Sequence, residues 1–360
     1  MDHERPVEEE GDVVWPRDTP EETAEDPQGN QEDCFPIPLS ALQPDSITGF
    51  DVFFRPGIED LHALFLKADI PVTEAHRQDL SEQGIQEVYV AKADSTRCMR
   101  YIEEGLAGIM ADKALDGTKR AKILYDTAVQ IVRDVMDEPF NDETITRAVA
   151  LTDTLTTWLF DEPKHLAHIF GSLSFRNLIA THSVNVCILG SALGRRLGLS
   201  QDELKTLSTG LLLHDLGKSM IDEAILTKSG RPTEDEWEII KSHPEKGVEL
   251  LEHSEQLDPL SLTVIRQHHE KCSGNGYPAG LKAREIHSYA KIAMLVDVYD
   301  AMTTQRSYAQ AIDAYPALRT MQSEMGPEVD SQLLRQFIFM LSTRTAKPAR
   351  AAKGAPRRAA

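Results

Sequence analysis

The first third of the chain contains short runs that are rich in apolar and aromatic residues. Such runs are typical of strands, and they occur at 51–54, 62–66 and 87–90. A helix is expected between the second and third runs, with Thr73 as its N-cap and Gly84 as its C-terminal stop. The pattern predicts a small α/β module over residues 37–105.

Helical spacing replaces these strand-like runs from about residue 110 onward. Between 110 and 160, apolar residues recur at steps of three and four positions, at Ile123, Ala128, Ile131, Val132 and Val135. Beyond residue 166 the pattern is almost wholly helical, and this region holds every chemically distinctive residue. The fold class is therefore predicted to be mainly α, with an all-helical domain preceded by the α/β module.

The two ends of the chain are too polar to form a core. Residues 1–36 contain 13 acidic residues and two arginines, and residues 344–360 contain six basic residues and no acidic ones. Such segments cannot offset the entropy of ordering, so both are expected to be disordered. The predicted organisation is an acidic tail at 1–36, an accessory or sensor domain at 37–105, a helical connector at 106–165, a catalytic domain at 166–343 and a basic tail at 344–360. Sensing, docking and purely structural packing all remain open for the accessory domain.

Composition and charge narrow the class of protein. The 360-residue chain is 41% hydrophobic and 27% charged, which is ordinary for globular proteins. Its net charge of -20 gives no general attraction to a polyanion, so a nucleic-acid polymer is not expected as a partner. The four cysteines form no CxxC pair, and no apolar run approaches the roughly 18 residues of a membrane helix. A cytoplasmic protein without a membrane span is expected.

The helical region carries two histidine motifs that follow apolar helices. In the first, His214 and Asp215 precede Gly217, yet such a doublet alone is a weak signal for metal binding. In the second, His268 and His269 precede a glycine-rich loop. Two adjacent imidazoles are costly to bury unless each finds a partner, and a divalent ion satisfies both as neutral ligands. Alone, the second motif could equally be a helix connector.

Three further polar residues lie within apolar helices or at a helix end: His182, His243 and Asp297. Each has an ordinary alternative. A lone histidine is more often a hydrogen-bonded core residue, and Asp297 could cap a helix or pair with Arg306. Their joint occurrence with the two histidine motifs favours a shared metal site.

Between residues 175 and 308 the sequence resembles the HD-GYP branch of the HD phosphohydrolase superfamily. The motifs that carry the resemblance occur in the order His182-Ser183, His214-Asp215-Leu-Gly217-Lys218, Lys241-Ser-His243-Pro244, His268-His269-Glu270, Gly274-Asn-Gly276-Tyr277-Pro278-Ala-Gly280-Leu281, Asp297-Val-Tyr-Asp300-Ala301 and Arg306-Ser-Tyr308. The resemblance implies an all-helical, metal-dependent phosphohydrolase domain.

The resemblance also implies a ligand set and a cofactor. The implied metal ligands are His182, His214, Asp215, His243, His268, His269 and Asp297. Asp215 would bridge two divalent transition-metal ions. Mixed imidazole and carboxylate ligation suits iron, manganese or zinc, and the family favours iron or manganese. Some members carry a glutamate for a third ion one helical turn before the first histidine, where this chain has Leu178, so two ions are expected.

Catalytic and substrate-binding roles follow from the same resemblance. The implied catalytic residues are Asp215 and Lys218, and Lys218 would contact a phosphate oxygen or protonate the leaving group. Substrate would be held by Lys218, Gly276, Tyr277 and Arg306. The chain departs from the family pattern at Ser273, Ser307 and Ala309. Because none of these residues is an implied metal ligand, the ligand set is complete and the departures concern substrate contacts.

The expected reaction is hydrolysis of cyclic di-GMP to pGpG, with GMP as a further product. Two alternatives stay open: action on another cyclic dinucleotide or nucleotide ester, and a catalytically weak receptor that signals through protein partners. The complete ligand set favours the enzyme over the receptor. The sequence is compatible with signalling proteins as partners and with a homodimer, and it does not decide between them.

Overall fold

The computed structural model describes residues 34–56, 62–113, 115–162, 164–173, 179–228, 230–304 and 311–342. Both predicted tails fall largely outside these ranges. The chain divides into two compact units, one extending to Thr127 and the other beginning at Ala128. The first unit contains the sheet and the second is helical, which confirms the predicted fold class.

The first unit is built on a four-stranded antiparallel sheet. Its strands are β1 (Cys34–Pro38), β2 (Val52–Phe54), β3 (Ala63–Leu66) and β4 (Glu87–Ala91), in the order β1-β4-β2-β3. The register pairs Phe35 with Val90 and Ile37 with Val88, and all four side chains are buried. The buried positions Val88 and Val90 fall in the strand-like run predicted at 87–90, whereas β1 lies partly in the segment predicted to be a disordered tail.

Four helices accompany the sheet: α1 (Glu74–Glu82), α2 (Ser95–Glu104), α3 (Leu106–Ala111) and α4 (Gly117–Asp137). Thr73 is the N-cap of α1, as predicted, because its side chain accepts a hydrogen bond from the His76 backbone N–H. Gly84 follows the helix with a φ of 78°, a left-handed conformation that favours glycine.

Two predicted domain boundaries need correction. Strand β1 begins at Cys34, so the acidic tail cannot extend to residue 36. The segment 106–165 is not a separate connector, because the boundary between the two units falls inside α4. Arg120 donates to the Met110 carbonyl at 2.6 Å and so ties the start of α4 to the first unit. Arg147 pairs with Asp134 at 2.7 Å and ties its end to the second.

The second unit continues with eleven further α-helices among the described residues. They are α5 (Asp142–Asp161), α6 (His165–Gly171), α7 (Ile179–Arg196), α8 (Gln201–Leu212), α9 (Glu223–Leu226), α10 (Glu234–Lys241), α11 (His243–Leu251), α12 (Pro259–Gln267), α13 (Ser288–Thr303), α14 (Ala314–Ser323) and α15 (Ser331–Ser342). A 3₁₀ helix, Leu216–Met220, lies between α8 and α9. The described helices include none that is both long and apolar enough to cross a membrane.

Helix α7 forms the centre of this unit. Residues 180–194 are all buried, and the helix packs against α8, α13 and α15. Helix α8 packs in turn against α5 and α12, while α11 lies against the 3₁₀ helix. The core therefore surrounds the starts and ends of several helices, where the distinctive polar side chains are located.

Candidate metal centre

The seven predicted ligands come from five parts of the second unit and converge. His182 is on α7, His214 and Asp215 follow α8, His243 begins α11, His268 and His269 follow α12, and Asp297 is on α13. Ligand atoms gather in two groups, Asp215 with His243, His268 and His269, and Asp215 with His182 and His214. Asp215 belongs to both groups, so its carboxylate is the junction of the cluster.

The two oxygens of Asp215 face different histidines. Oδ1 lies 3.3 Å from Nε2 of His243 and 3.8 Å from Nε2 of His268. Oδ2 lies 3.5 Å from Nε2 of His214 and 3.7 Å from Nε2 of His182. One carboxylate therefore presents a separate oxygen to each half of the cluster.

Three of these histidines are fixed in one tautomer by their own helices. Nδ1 of His214, His243 and His268 lies in each case 2.7 Å from the backbone carbonyl oxygen three residues earlier. Because a carbonyl only accepts, Nδ1 must carry the proton and donate it. The other ring nitrogen, Nε2, of each of these histidines faces Asp215 and is the atom left to bind a ligand.

This arrangement places several acceptor atoms close together. Nε2 of His243 and Nε2 of His268 lie 3.1 Å apart, and in the forms protonated only at Nδ1 the two atoms face each other as acceptors. Nε2 of His214 and Oδ1 of Asp215 are buried and have no hydrogen-bond partner among the described residues. Buried acceptors that face one another are unfavourable unless a cation satisfies them. The residues present therefore fit a divalent metal ion, bound by imidazole and carboxylate.

Charge states in the cluster agree with this donor set. Burial lowers the pKa of His214 and His268, and it lowers the pKa of His269 to about 3, so these rings are neutral near pH 7. Although burial alone would raise it, the nearby Lys218 ammonium holds the pKa of Asp215 well below its usual range. Neutral imidazoles beside an ionised carboxylate are the forms that bind a metal.

His182 is oriented by a carboxylate that the sequence did not single out. Its Nδ1 lies 2.7 Å from Oδ2 of Asp300, and Asn185 donates to the other oxygen of Asp300 at 2.9 Å. On the opposite side of the ring, Nε2 lies 3.1 Å from Oδ1 of Asp297. A carboxylate behind a ligating histidine fixes its ring orientation and raises its basicity. Asp300 belongs to the sequence motif at 297–301, but it contacts α7 only in the folded chain.

The two carboxylates also set the charge of His182. Burial alone would lower its pKa, but the hydrogen bonds to Asp297 and Asp300 raise the pKa to about 9. A divalent cation would displace this proton, because a ligating imidazole must be neutral. The other oxygen of Asp297 lies 3.6 Å from Nδ1 of His269, so Asp297 joins the two histidines at the mouth of the cluster.

Gly217 allows α11 to approach the His–Asp motif closely. A Cβ at this position would overlap the carbonyl oxygen of His243 and the backbone nitrogen of Gly247. The first turn of α11 thus packs directly on the backbone of the 3₁₀ helix. This contact holds His243 beside Asp215.

Glu270 organises the loop that follows the histidine pair. Its buried carboxylate accepts the backbone N–H of Ala279 at 2.7 Å and of Leu281 at 2.8 Å. Gly276 packs so tightly beneath the loop that a Cβ would overlap the backbone at Glu270. The loop therefore places Tyr277 over His269, with ring centroids 4.6 Å apart. Burial raises the pKa of Tyr277, so its hydroxyl stays protonated.

A cavity of about 610 Å³ opens over the cluster. Its polar floor is formed by His182, Asp215, Lys218, His243 and His269, and Tyr277 forms part of the wall. Nζ of Lys218 lies 2.6 Å from Oδ2 of Asp215, which places a cation at the edge of the cluster. The volume is in the range of small-molecule sites.

Some predicted substrate contacts stand apart from this cavity or cannot be located. Gly276 is not among the residues that line it, so its place in the fold is to permit loop packing. Arg306, Ser307 and Ala309 lie outside the described residues, as does Leu178. Ser273, in contrast, is described and forms a β-bridge with Lys282 within the loop.

Comparison with known proteins agrees with the fold and the cluster. Residues 174–333 match the HD domain family. The chain is 29% identical over 284 residues to a cyclic di-GMP phosphodiesterase of Pseudomonas aeruginosa, covering 74% of this chain and 67% of that protein. It is 35% identical over 164 residues to a cyclic di-GMP phosphodiesterase response regulator of Xanthomonas campestris, covering 42% of this chain and 43% of that protein.

A solved structure has the same fold. It is that of an HDG"Y"P protein from Bdellovibrio bacteriovorus, which matches with a TM-score of 0.59 and 18% identity over 86% of this chain and all of that chain. Residues 174–333 of the helical unit, which contain the His–Asp cluster, thus match an HD domain. The ordered motifs of this region are similar to those of the HD-GYP family.

Proposed function

We propose that the chain is a metal-dependent phosphodiesterase that hydrolyses cyclic di-GMP to pGpG and, more slowly, to GMP. The observation that carries the proposal is the shared Asp215 carboxylate, which presents one oxygen to each of two histidine groups at the floor of a cavity. Two curated relatives are named for cyclic di-GMP hydrolysis, and this supports the choice of substrate. The aligned region spans 67% of the first relative and 43% of the second.

We propose that this cluster holds two ions per protomer. His182 and His214 would serve one ion and His243, His268 and His269 the other, with Asp215 shared and Asp297 closing the site. Imidazole-rich ligation with few carboxylates is unsuited to magnesium, and iron or manganese is favoured over zinc by the family resemblance. Divalent ions in such a site acidify water and offset the negative charge that grows on a phosphodiester.

The protein side chains orient and protect this chemistry. Asp300 and Asn185 hold the ring of His182, and the backbone carbonyls of three helices hold the other imidazoles. Because the cluster is buried and its lone pairs are already directed inward, little reorganisation is required when charge develops. Lys218 is the side-chain cation nearest the reacting group among the residues that line the floor.

Lys218 and Tyr277 have different proposed roles. The ammonium of Lys218 lies between Asp215 and the open cavity, where it can contact a phosphate oxygen or donate a proton to the leaving ribose oxygen. The Tyr277 ring lies on His269 and forms a wall, so it would hold the substrate before and during the reaction. Arg306 remains a proposed phosphate contact on the strength of the family motif alone.

Replacing Lys218 by Ala is expected to lower kcat by about 10²-fold, because a cation at the reacting phosphate is worth more as negative charge develops. KM should change much less, since the cavity walls still hold the substrate. Steady-state kinetics with metal content measured on the same samples would separate these effects. A variant that keeps its metals and its kcat would remove Lys218 from the reaction.

The proposed activity is tested with a panel of substrates. Metal-loaded protein, kept reduced, is incubated with cyclic di-GMP, 3′3′-cGAMP and cyclic di-AMP, and the products are separated by chromatography. The expected result is metal-dependent pGpG from cyclic di-GMP at the highest kcat/KM. Faster turnover of 3′3′-cGAMP would reassign the substrate, and two relatives named as specific for this nucleotide make it the relevant comparison. Binding without any product would replace the enzyme by a receptor.

A further inference from the structure

The cavity extends well beyond the metal ligands. Its outer wall is formed by the segment that contains α9 and α10, from Ile225 to Ile240. No residue of this segment belongs to the motifs that carry the metal site. A cyclic dinucleotide has two nucleobases and two phosphodiesters, of which one is held at the metal cluster. The outer wall of the cavity is the surface that is left to contact the rest of the substrate.

Trp237 is the largest side chain of that wall. It lies on α10, lines the cavity and is 44% exposed, although an indole of this size usually buries more of its surface. Ile240 stands three residues later, so it shares the same face of the helix and also lines the cavity. Ile239 is similarly exposed but is not among the lining residues.

Aromatic rings connect Trp237 to the metal cluster. The indole meets the ring of Tyr277 edge to face, with centroids 6.1 Å apart at 81°. Tyr277 in turn lies on His269, a proposed metal ligand, with centroids 4.6 Å apart. This contact leaves part of the indole exposed, and Trp237 lines the same cavity as the metal cluster.

The position of Trp237 is fixed by the residue before it. Thr233 and Glu236 form a capping box, in which the Glu236 carboxylate accepts the backbone N–H of Thr233 at 2.6 Å. The same carboxylate binds Lys228 at 2.6 and 2.8 Å. This network joins the start of α10 to the preceding loop, so the indole is held on an ordered element.

The charge of the wall suits an anionic ligand. Lys228 is neutralised by Glu236, whereas Arg231 lines the cavity and makes no ion pair with any described residue. A planar aromatic surface next to an available cation is the combination that proteins use to bind bases of single-stranded nucleotides.

We infer that Trp237 is a stacking platform for a nucleobase of the substrate, and thus a substrate-binding residue that lies outside the metal site. The inference rests on the proposed function. It assumes that a phosphodiester of the substrate is held over the metal cluster, and it assigns the outer wall of the cavity to a nucleobase of the same substrate. Stacking acts on the ground state and the transition state alike, so it should affect KM rather than kcat.

Kinetics of three metal-loaded variants test this inference: Trp237→Ala, Trp237→Phe and Ile239→Ala. We expect Trp237→Ala to raise KM for cyclic di-GMP by about 5- to 100-fold, the range typical of a lost base–aromatic stack. Its kcat should stay within about twofold of the wild type, and Trp237→Phe should recover most of the affinity. Ile239→Ala removes a similarly exposed side chain from the same helix and should leave both constants unchanged.

The outcomes separate this inference from the proposed function. An unchanged KM in Trp237→Ala, with wild-type metal content, would overturn the stacking role while the enzyme assignment stands. If the wild type hydrolyses no cyclic dinucleotide, the proposed function fails, and calorimetric Kd values for cyclic di-GMP then decide. Equal Kd values for the wild type and Trp237→Ala would overturn the stacking role, and an absence of binding would overturn both.

Discussion

Replacing Asp215 by Asn should reduce phosphodiesterase activity by about 10²-fold or more, because outer-shell changes alone cost about 10- to 100-fold in metal sites. The amide has nearly the shape of the carboxylate but lacks its charge and offers only one oxygen. Both histidine groups would lose the ligand that they share, and Lys218 would lose its partner. Bound metal should fall together with kcat/KM, as measured by elemental analysis and product formation on the same samples.

A matched control for this substitution is Asp153→Asn. Asp153 is a half-exposed carboxylate in the same unit that pairs with Lys205 at 2.9 Å and does not line the cavity. This variant should keep wild-type turnover and metal content, since exposed ion pairs contribute little. Wild-type activity and full metal content in a folded Asp215→Asn protein would refute the shared-carboxylate account.

The second large effect is expected from Gly217→Ala. The added methyl group would overlap the His243 carbonyl oxygen, so α11 must move away from the 3₁₀ helix. Overpacking of this kind costs about 1–3 kcal/mol of unfolding free energy, and occasionally more. His243 would leave Asp215 at the same time, so metal content should fall even in molecules that remain folded. Denaturant unfolding and elemental analysis measure the two effects separately.

Gly171→Ala provides the control for the added methyl group. Gly171 ends α6 in the same unit, and a Cβ at this position would have no neighbour within 4 Å. Its stability and metal content should match the wild type. If Gly217→Ala also behaved like the wild type, the close approach of α11 would not be what positions His243.

The set of candidate ligands could be proposed from the sequence because its ordered motifs resemble those of a known family. The pairs His214-Asp215 and His268-His269 each follow an apolar helix, but neither pair alone was enough to predict a metal site. The sequence could not give their mutual geometry. Which oxygen of Asp215 faces which histidine depends on how α7, α8, α11 and α12 pack, and that is settled by contacts far apart in the chain.

The residues that support the ligands were harder to recognise for the same reason. Asp300 lies 118 positions from His182, and its hydrogen bond to that ring exists only after α13 packs on α7. Glu270 reads as one more acidic residue in a loop until its carboxylate is seen to accept two backbone N–H groups. Trp237 belongs to no motif, and its significance comes only from the cavity it lines.

The predicted helical connector at 106–165 shows what a sequence pattern does not predict. Spacing of three and four residues correctly indicated helices between 110 and 160, but periodicity reports only which face of a helix is buried. It does not report against which unit that face packs. The boundary between the two units falls within α4, and the contacts of Arg120 and Arg147 attach the two ends of this helix to different units.

The most direct test of a two-ion centre built on Asp215 is a metal titration of the metal-free protein under anaerobic conditions. Bound manganese per protomer and cyclic di-GMP turnover would be measured on the same samples as metal is added. The account predicts that two equivalents bind and that turnover rises as the second is taken up, because each half of the cluster must be filled for Asp215 to be shared. Full turnover at one equivalent, a third stoichiometric ion, or turnover that does not depend on metal would contradict it.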